Sequence, residues 1–305
     1  MLAALWLLLG AAFLVAVLVQ LLQGPPGKPP LGLDCLFQDL IRYGKTKSGC
    51  GQRPALLQLL DVPKRWFSHF YIVSVIWNGL LLLLLIQALF LSRPLPVWLQ
   101  DLLVVLGGAA QNQNAGGEHL SALLVLVLLW LHSLRRLAEC LYISVFSDGV
   151  IHLVQYCFGL GYYVVMGLTV LCQMPARVGN GHFMKICWYH VLGIIMYVWA
   201  SAHQHRCHVI LANLRKSKSG KVVNLDHSIP VGDWFERVSC PHYFAELLIY
   251  ISMAVTFGLH NLTSWLVLLY VLFNQALAAC LCHEFYLTKF SSYPQHRKAF
   301  IPFIF

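Results

Sequence analysis

Seven long apolar runs dominate the pattern of hydrophobic and polar positions along the chain. Each holds about 17 to 24 residues with few charges, which is the length that an α-helix needs to cross a bilayer. The runs cover residues 2–22, 68–91, 118–134, 150–172, 186–203, 243–260 and 262–282. The pattern predicts an all-α integral membrane protein with seven transmembrane helices.

The first run and one shorter stretch need separate interpretation. Residues 2–22 lack a preceding basic segment and are longer than the apolar part of a usual signal peptide, which favours a retained helix. Residues 98–110 are apolar but are interrupted by Asp101 and by two consecutive glycines at 107 and 108. We expect this stretch to form an interfacial or re-entrant piece.

Composition supports the same class of protein. Of the 305 residues, 59% are apolar and 11% are charged, whereas about 25% of an average soluble domain is charged. Seven spans leave no room for a second soluble domain, so residues 1–305 are predicted to form one membrane-embedded unit. Within it we distinguish N-terminal spans with a basic loop (1–110), middle spans (111–203) and a C-terminal region (204–305).

The distribution of basic residues predicts the orientation. The chain has 21 Lys and Arg against 12 Asp and Glu. With seven spans, the basic residues of 23–67, 135–136, 206–237 and 283–305 fall on one side, and only Arg93, Arg177 and Lys185 fall on the other. Because cytosolic loops carry the excess of Lys and Arg, this places the C-terminus in the cytosol and the N-terminus in the lumen.

Several chemistries are excluded because their spacings are missing. The sequence contains no Rossmann glycine fingerprint after a strand, no P-loop, no HExxH pair and no GxSxG elbow. The ten cysteines include no CxxC pair and are interpreted as reduced, structural residues. The small groups of basic residues match no nucleic-acid recognition module. We therefore expect neither a metal nor a nucleic-acid partner.

Polar residues concentrate in two places near the predicted cytosolic face. The 204–242 connection mixes basic residues, His, Asp and aromatics, and a second cluster runs from Asn274 to Lys298. The basic run 215–220 alone has an equally good explanation in positive-inside topology. Together, however, the two clusters predict a polar site at this mouth of the bundle.

The C-terminal sequence contains motifs that resemble those of a known family. The elements His283-Glu-Phe-Tyr286 and Ser-Tyr-Pro-Gln-His-Arg-Lys-Ala-Phe-Ile-Pro-Phe from 292 to 303 resemble the signature of the steroid 5α-reductase family. Segments 37–47, 61–72, 129–147 and 208–216 are similar to the branch that reduces polyprenal in dolichol synthesis. The resemblance implies a multi-pass enzyme of the endoplasmic reticulum that takes NADPH from the cytosol.

The family motifs also imply a set of cofactor contacts. Carried over position by position, these are Asn213, Arg215, Asp233, Glu246, His283, Tyr286, Tyr293, Arg297 and Lys298. Arg and Lys would meet phosphate groups as charge-assisted donors. For Arg297 and Lys298, anchoring at the membrane surface is an alternative.

The catalytic positions depart from those of the steroid-reducing relatives. Those enzymes place a Glu and a Tyr on the substrate carbonyl, where this chain has the stretches 66–70 (Trp-Phe-Ser-His-Phe) and 132–133 (His-Ser). Another donor is therefore expected to hold the carbonyl oxygen. The candidates are Tyr71, His69, His132 and Tyr156, with Tyr71 preferred. For His69, a place in the interfacial aromatic belt is an alternative.

The resemblance implies reduction of the α-isoprene double bond of polyprenal to give dolichal, for protein N-glycosylation. The implied partners are NADPH, a long-chain polyisoprenoid and the lipid bilayer, with 3-oxo-4-ene steroids as side substrates. One alternative is a membrane methyltransferase of the isoprenylcysteine type, which would use S-adenosylmethionine. A transporter is disfavoured, because the sequence shows no internal repeat.

Overall fold

The helical bundle is seen in a computed structural model that describes residues 1–23, 33–47, 53–107, 116–174, 185–217 and 219–305. Within these ranges the helices are α1 (Leu2–Gln23), α2 (Leu33–Ile41), α3 (Ala55–Gln58), α4 (Phe67–Phe90), α5 (Val97–Leu106), α6 (Gly116–Ala138), α7 (Leu153–Leu171), α8 (Trp188–Asn213), α9 (Pro241–Phe257) and α10 (Leu262–Lys289). A π-helical turn, Glu139–Ile143, continues α6. Cys50, Arg177 and the boundary after residue 110 lie outside the described residues.

All seven predicted spans correspond to helices. Five of them, α1, α4, α6, α7 and α10, are long and apolar enough to cross a membrane. The other two are α8, with 26 residues, and α9, with 17. The interrupted apolar stretch at 98–110 forms the ten-residue helix α5, which ends at Gly107 with φ 105°. This left-handed value suits glycine at a helix C-terminus.

The fourth span starts later than the apolar pattern predicts. Residues Val150–His152 form a short strand, β2, which pairs antiparallel with β1, Asp61–Pro63. Helix α7 begins only after His152, whose Nδ1 accepts a hydrogen bond from the Val154 amide at 3.1 Å. Conversely, α8 and α10 continue well past the apolar runs, and the additional turns are polar.

Successive membrane-spanning helices run in opposite directions through the bundle. Helix α1 runs parallel to α10, since Gly10 lies against the Tyr270 backbone and Gln20 donates to Glu284 at 3.0 Å. Gln204 near the end of α8 donates to the carbonyl of His242 at the start of α9, at 3.2 Å. One end of the bundle therefore carries the C-terminal ends of α1, α6, α8 and α10 and the N-terminal ends of α4, α7 and α9.

Two glycines on α7 allow the packing of this helix to be tested. A Cβ on Gly167 would collide with the Asn78 side chain and lie 2.8 Å from Leu81 Cδ1, whereas one on Gly161 meets nothing within 4 Å. We expect Gly167→Ala to destabilise the protein by about 1 to 3 kcal/mol through overpacking. Gly161→Ala should be neutral or stabilising, because alanine favours a helix.

The check is the thermal midpoint of the purified protein in detergent. An equal shift in the midpoint of both variants would contradict the observed contact between α4 and α7.

A buried ion cluster fixes the loop between α2 and β1. The Lys47 ammonium lies 3.1 Å from Asp39 and 3.0 Å from Asp61, and Arg53 contacts the same two carboxylates at 2.6 and 2.7 Å. Burial opposes the charge of Asp61, but hydrogen bonds from Arg53 and Lys47 outweigh it and lower its pKa. We call these four residues the loop anchor. They hold residues 43–46 at the polar end of the bundle.

Candidate active site

A cavity of about 200 Å³ opens to solvent at the polar end of the bundle. Its walls come from the 43–46 loop, Lys64 just before α4, the ends of α8 and α10, the start of α9 and the 226–228 segment. The site thus draws on both halves of the chain. The loop anchor lies next to the 43–46 wall, since Lys47 directly follows it in sequence.

Positive charge concentrates on the outer wall. Lys45, Lys64 and Arg215 line the cavity, and the Lys45 ammonium lies 3.9 Å from the centre of the Tyr286 ring. Arg215 Nη1 donates to the Val145 carbonyl at 2.5 Å. Among the described residues that line the cavity, Asp226 is the one carboxylate. Such a surface is suited to an anionic ligand with several phosphates.

The imidazole of His227 lies beside these cations. Its Nε2 lies 3.1 Å from Arg215 Nη2. Burial and the neighbouring cations, Arg215 foremost, lower the pKa of His227 to about 3. The side chain is therefore neutral at pH 7 and adds no charge to the neighbouring cations.

We expect anion binding to become tighter as the pH falls. A phosphate group in the cavity offsets the neighbouring cations and raises the pKa of His227, so the complex binds more protons than the free protein. Affinity then rises as the pH falls below the pKa of His227 in the complex and toward about 3, by up to about tenfold per unit. The measurement is the affinity for NADP⁺ from pH 7 to pH 4.

His227→Phe provides the control, because the ligand phosphates titrate identically with both proteins. The variant should show a shallower dependence on pH. Identical slopes would contradict a role for His227.

The inner wall carries a different set of groups. The Tyr43 and Tyr243 hydroxyls lie 2.8 Å apart, and His208, His242 and Cys282 complete this wall. The cavity therefore offers uncharged hydrogen-bonding groups beside its cations.

Behind the inner wall lies a buried polar network. His208 Nδ1 lies 2.7 Å from Glu139 Oε2, and His205 Nδ1 lies 2.9 Å from Glu139 Oε1. Arg136 contacts the same carboxylate at 2.5 Å, and its Nε donates to the Tyr71 hydroxyl at 3.2 Å. Glu139 is only 1% exposed, so these contacts replace its hydration. The network connects the cavity wall to Tyr71.

Three of the four predicted catalytic residues lie close together, because Tyr156 packs on the same aromatic cluster as Tyr71. Tyr71 is buried in an aromatic cluster with Phe70 and Tyr163, and Phe146 both packs on this cluster and lines the cavity. His69 Nδ1 lies 2.9 Å from the Tyr156 hydroxyl.

His132, the fourth candidate, is fully buried among the helices. Its Nε2 lies 3.3 Å from Glu246 and its Nδ1 lies 3.2 Å from Arg135. Of the four candidates, Tyr71 has the closest connection to the cavity.

The predicted cofactor residues also separate into groups. Arg215 and Tyr286 line the cavity. Tyr293 stacks on Tyr286 with ring centres 5.3 Å apart and an angle of 4°. Tyr293 and His283 both approach Ser239 Oγ at 2.6 Å. Tyr293 and His283 therefore lie behind the cavity wall and support it.

The remaining five do not line the cavity. Arg297 donates to the Pro230 carbonyl at 2.8 Å and lies 3.5 Å from Glu236, and Lys298 pairs through its backbone with Val238. These contacts hold the C-terminal tail against the 230–238 segment. Asn213 and Asp233 are exposed, and Glu246 contacts Gln204 and His132 inside the bundle.

Sequence reasoning missed several cavity residues. The cavity residues that were not predicted include Tyr43, Lys45, Lys64, His208, His227, His242 and Tyr243. Tyr43, Lys45 and Lys64 lie in the segments 37–47 and 61–72, which resemble the polyprenal-reducing branch but carried no assigned role. The histidines of 203–208 gave a second signal, because a turn of helix with His at 205 and 208 presents both on one face.

Fold and site together define a multi-pass helical membrane protein with a basic cavity at one end of the bundle. The family model for 3-oxo-5-alpha-steroid 4-dehydrogenase matches residues 150–305. The chain belongs to this family, the steroid 5α-reductases.

Relatives match over the whole chain. A polyprenal reductase of Xenopus tropicalis is 63% identical over 309 residues, covering 100% of this chain and 99% of the relative. The polyprenal reductase of Homo sapiens is 61% identical, with coverage of 100% and 96%. That of Danio rerio is 52% identical, with coverage of 98% and 96%.

Proposed function

We propose that this protein reduces the α-isoprene double bond of polyprenal to give dolichal, with NADPH as the reductant. The observation that carries the proposal is the identity of 52 to 63% with polyprenal reductases over nearly the whole chain. The chain is an oxidoreductase that acts on a carbon–carbon double bond. Conjugation with a carbonyl is essential to this chemistry, since only then can the electrons of an added hydride move onto oxygen.

The cations of the cavity support a nicotinamide dinucleotide phosphate as the reductant. Lys45, Lys64 and Arg215 would hold its phosphates. Tyr286 offers an aromatic face beside Lys45. When bound, the cofactor supplies the hydride. The residues of the chain would bind and orient the cofactor and the substrate.

Tyr71 and its neighbours would bind the aldehyde group of polyprenal. The Tyr71 hydroxyl would donate to the developing enolate oxygen, and Arg136 at 3.2 Å would stabilise the negative charge there. Phe67, Phe70 and Tyr163 surround Tyr71 with apolar surface that suits an isoprene unit. The rest of the polyisoprenoid would remain in lipid between helices. Side activity on 3-oxo-4-ene steroids is compatible with this recognition, because they share the conjugated carbonyl.

The proposed topology has seven spans in the endoplasmic reticulum, with a lumenal N-terminus and a cytosolic C-terminus. The alternating ends of α1, α4 and α6 to α10 support the count. The basic cavity lies at the end that the positive-inside rule assigns to the cytosol. In this arrangement the site faces cytosolic NADPH and supports dolichol synthesis for N-glycosylation.

The test is cofactor consumption by the purified, detergent-solubilised protein, with product masses. Separate reactions contain polyprenal, the matching polyprenol and a 3-oxo-4-ene steroid, each with NADPH or NADH. We expect a gain of two hydrogens on polyprenal, faster with NADPH. No turnover of any substrate would overturn the proposal, and methyl transfer from S-adenosylmethionine would favour the methyltransferase.

A further inference from the structure

The three cations that line the cavity differ in the contacts they already make. Arg215 Nη1 donates to the Val145 carbonyl at 2.5 Å. The Lys45 ammonium lies 3.9 Å from the centre of the Tyr286 ring. Lys64 differs from both, because among the described residues its ammonium has neither a hydrogen-bond acceptor nor a carboxylate partner. The protein therefore leaves one cation of the cavity without a counter-charge.

The backbone around Lys64 gives its side chain a defined place. The Lys64 amide donates to the Gly149 carbonyl at 2.8 Å. A Cβ on Gly44 would lie 2.7 Å from Lys64 Nζ and 2.8 Å from its Cδ, so the lysine occupies space that a side chain at position 44 would fill. Gly44 also has φ 56°, a left-handed value that favours glycine. The half-buried ammonium is thus held against a glycine backbone at the cavity wall.

The charges near Lys64 repel it. Its charged neighbours include Lys45 and Arg215, which are both cationic. Holding a partly buried charge without a partner beside like charges is unfavourable. An anion that enters the cavity removes this cost, and it gains more from Lys64 than from a cation that already has a partner. Lys64 is therefore the strongest single attractor of negative charge in the cavity.

The cofactor offers two kinds of phosphate. Each phosphate of the pyrophosphate bridge carries one negative charge, whereas a phosphate monoester carries about two at pH 7. NADPH has such a monoester at the 2′ position of its adenosine ribose, and NADH has a hydroxyl there. A lysine ammonium acts as a compact point charge, which suits a terminal dianion. The residue that binds this group also decides between the two cofactors.

We propose that Lys64 binds the 2′-phosphate of NADPH and so distinguishes NADPH from NADH. This inference rests on the proposed use of NADPH. Lys64 can form the ion pair without losing a contact inside the protein, whereas Arg215 and Lys45 each have one to lose. Those two cations remain for the phosphates that NADPH and NADH share.

Binding of the oxidised cofactors tests this role. The affinities of purified, detergent-solubilised Lys64→Met for NADP⁺ and for NAD⁺ are measured by tryptophan fluorescence. We expect NADP⁺ to bind about 10- to 100-fold more weakly, which is the usual effect of losing one charge-assisted contact. The affinity for NAD⁺ should change less than about threefold.

Two further variants serve as controls. Lys45→Met should weaken NADP⁺ and NAD⁺ by similar factors, because Lys45 is assigned to the part that both cofactors contain. Arg65→Met removes the same charge at the next position in sequence, where the side chain is exposed and lies outside the cavity wall. Both of its affinities should stay within about twofold of the wild-type values.

Chemical labelling of the wild-type protein gives a test that needs no variant at position 64. Acetic anhydride acetylates accessible lysines, and mass spectrometry measures the extent at Lys64. Adenosine 2′,5′-bisphosphate should reduce this labelling at least about fivefold, whereas adenosine 5′-monophosphate at equal occupancy should not. Exposed Lys221, which lies outside the cavity wall, should be labelled equally in both cases.

The outcomes separate the two proposals. Equal losses of NADP⁺ and NAD⁺ affinity in Lys64→Met, unchanged affinities, or equal protection by the two nucleotides would each overturn the role of Lys64. If the wild-type protein reduces polyprenal equally fast with NADPH and NADH, the role of Lys64 fails and polyprenal reduction stands. If it reduces no polyprenal but Lys64→Met selectively loses NADP⁺, the proposed reaction fails and the role of Lys64 stands.

Discussion

Replacement of Tyr71 by phenylalanine is expected to lower kcat for polyprenal reduction by about 10²- to 10³-fold, the usual effect of removing one oxyanion donor. The hydroxyl lies beside the Arg136 guanidinium at 3.2 Å and within an apolar cluster. In such surroundings a hydrogen bond to developing negative charge is worth more than in water. KM should change little, because the donor acts mainly in the transition state.

Steady-state kinetics with polyprenal and NADPH check this result. Tyr142→Phe is the matched control, since that tyrosine is 81% exposed just beyond α6. It should keep kcat within about twofold. Unchanged activity of Tyr71→Phe, with a large loss in Tyr156→Phe or His69→Gln instead, would move the oxygen donor to the other candidate pair at the ends of α4 and α7.

Much of the fold follows from the apolar pattern. Helices α1, α4, α6, α7 and α10 coincide with apolar runs, because in a bilayer a backbone must satisfy its hydrogen bonds internally. The β1–β2 pair was missed, since three-residue strands leave no periodic pattern. The pattern also ended α8 and α10 too early. Their last turns are stabilised by contacts such as His208 with Glu139, which a hydropathy pattern does not contain.

The candidate site was less accessible to sequence reasoning, because its walls come from distant segments. Motif resemblance identified Arg215 and Tyr286, which line the cavity. The same motif contains Arg297, which contacts the Pro230 carbonyl instead. A motif records residue types in order, but it does not record which way each side chain points. Lys45 lies in the similar segment 37–47, but only the folded loop brings it to Tyr286.

The second large effect, on stability and on NADP⁺ affinity, is expected from a substitution in the loop anchor. Lys47→Met leaves Asp39 and Asp61 without one of their two cationic partners in a buried site, where breaking an ion pair costs about 3 to 5 kcal/mol. We expect a large fall in the thermal midpoint. We also expect NADP⁺ affinity to be largely lost, although Lys47 itself is outside the cavity wall, because the 43–46 segment loses its attachment.

Lys45→Met separates support of the loop from contact with the ligand. Both lysines belong to one loop, but Lys45 lines the cavity and rests on the Tyr286 ring. Its replacement should therefore weaken NADP⁺ binding by about tenfold or more, as expected for one charge-assisted contact. The thermal midpoint without ligand should stay close to that of the wild-type protein. If instead Lys47→Met keeps its thermal midpoint and its affinity, the ion cluster does not hold the wall, and the cavity must derive its shape from the helices alone.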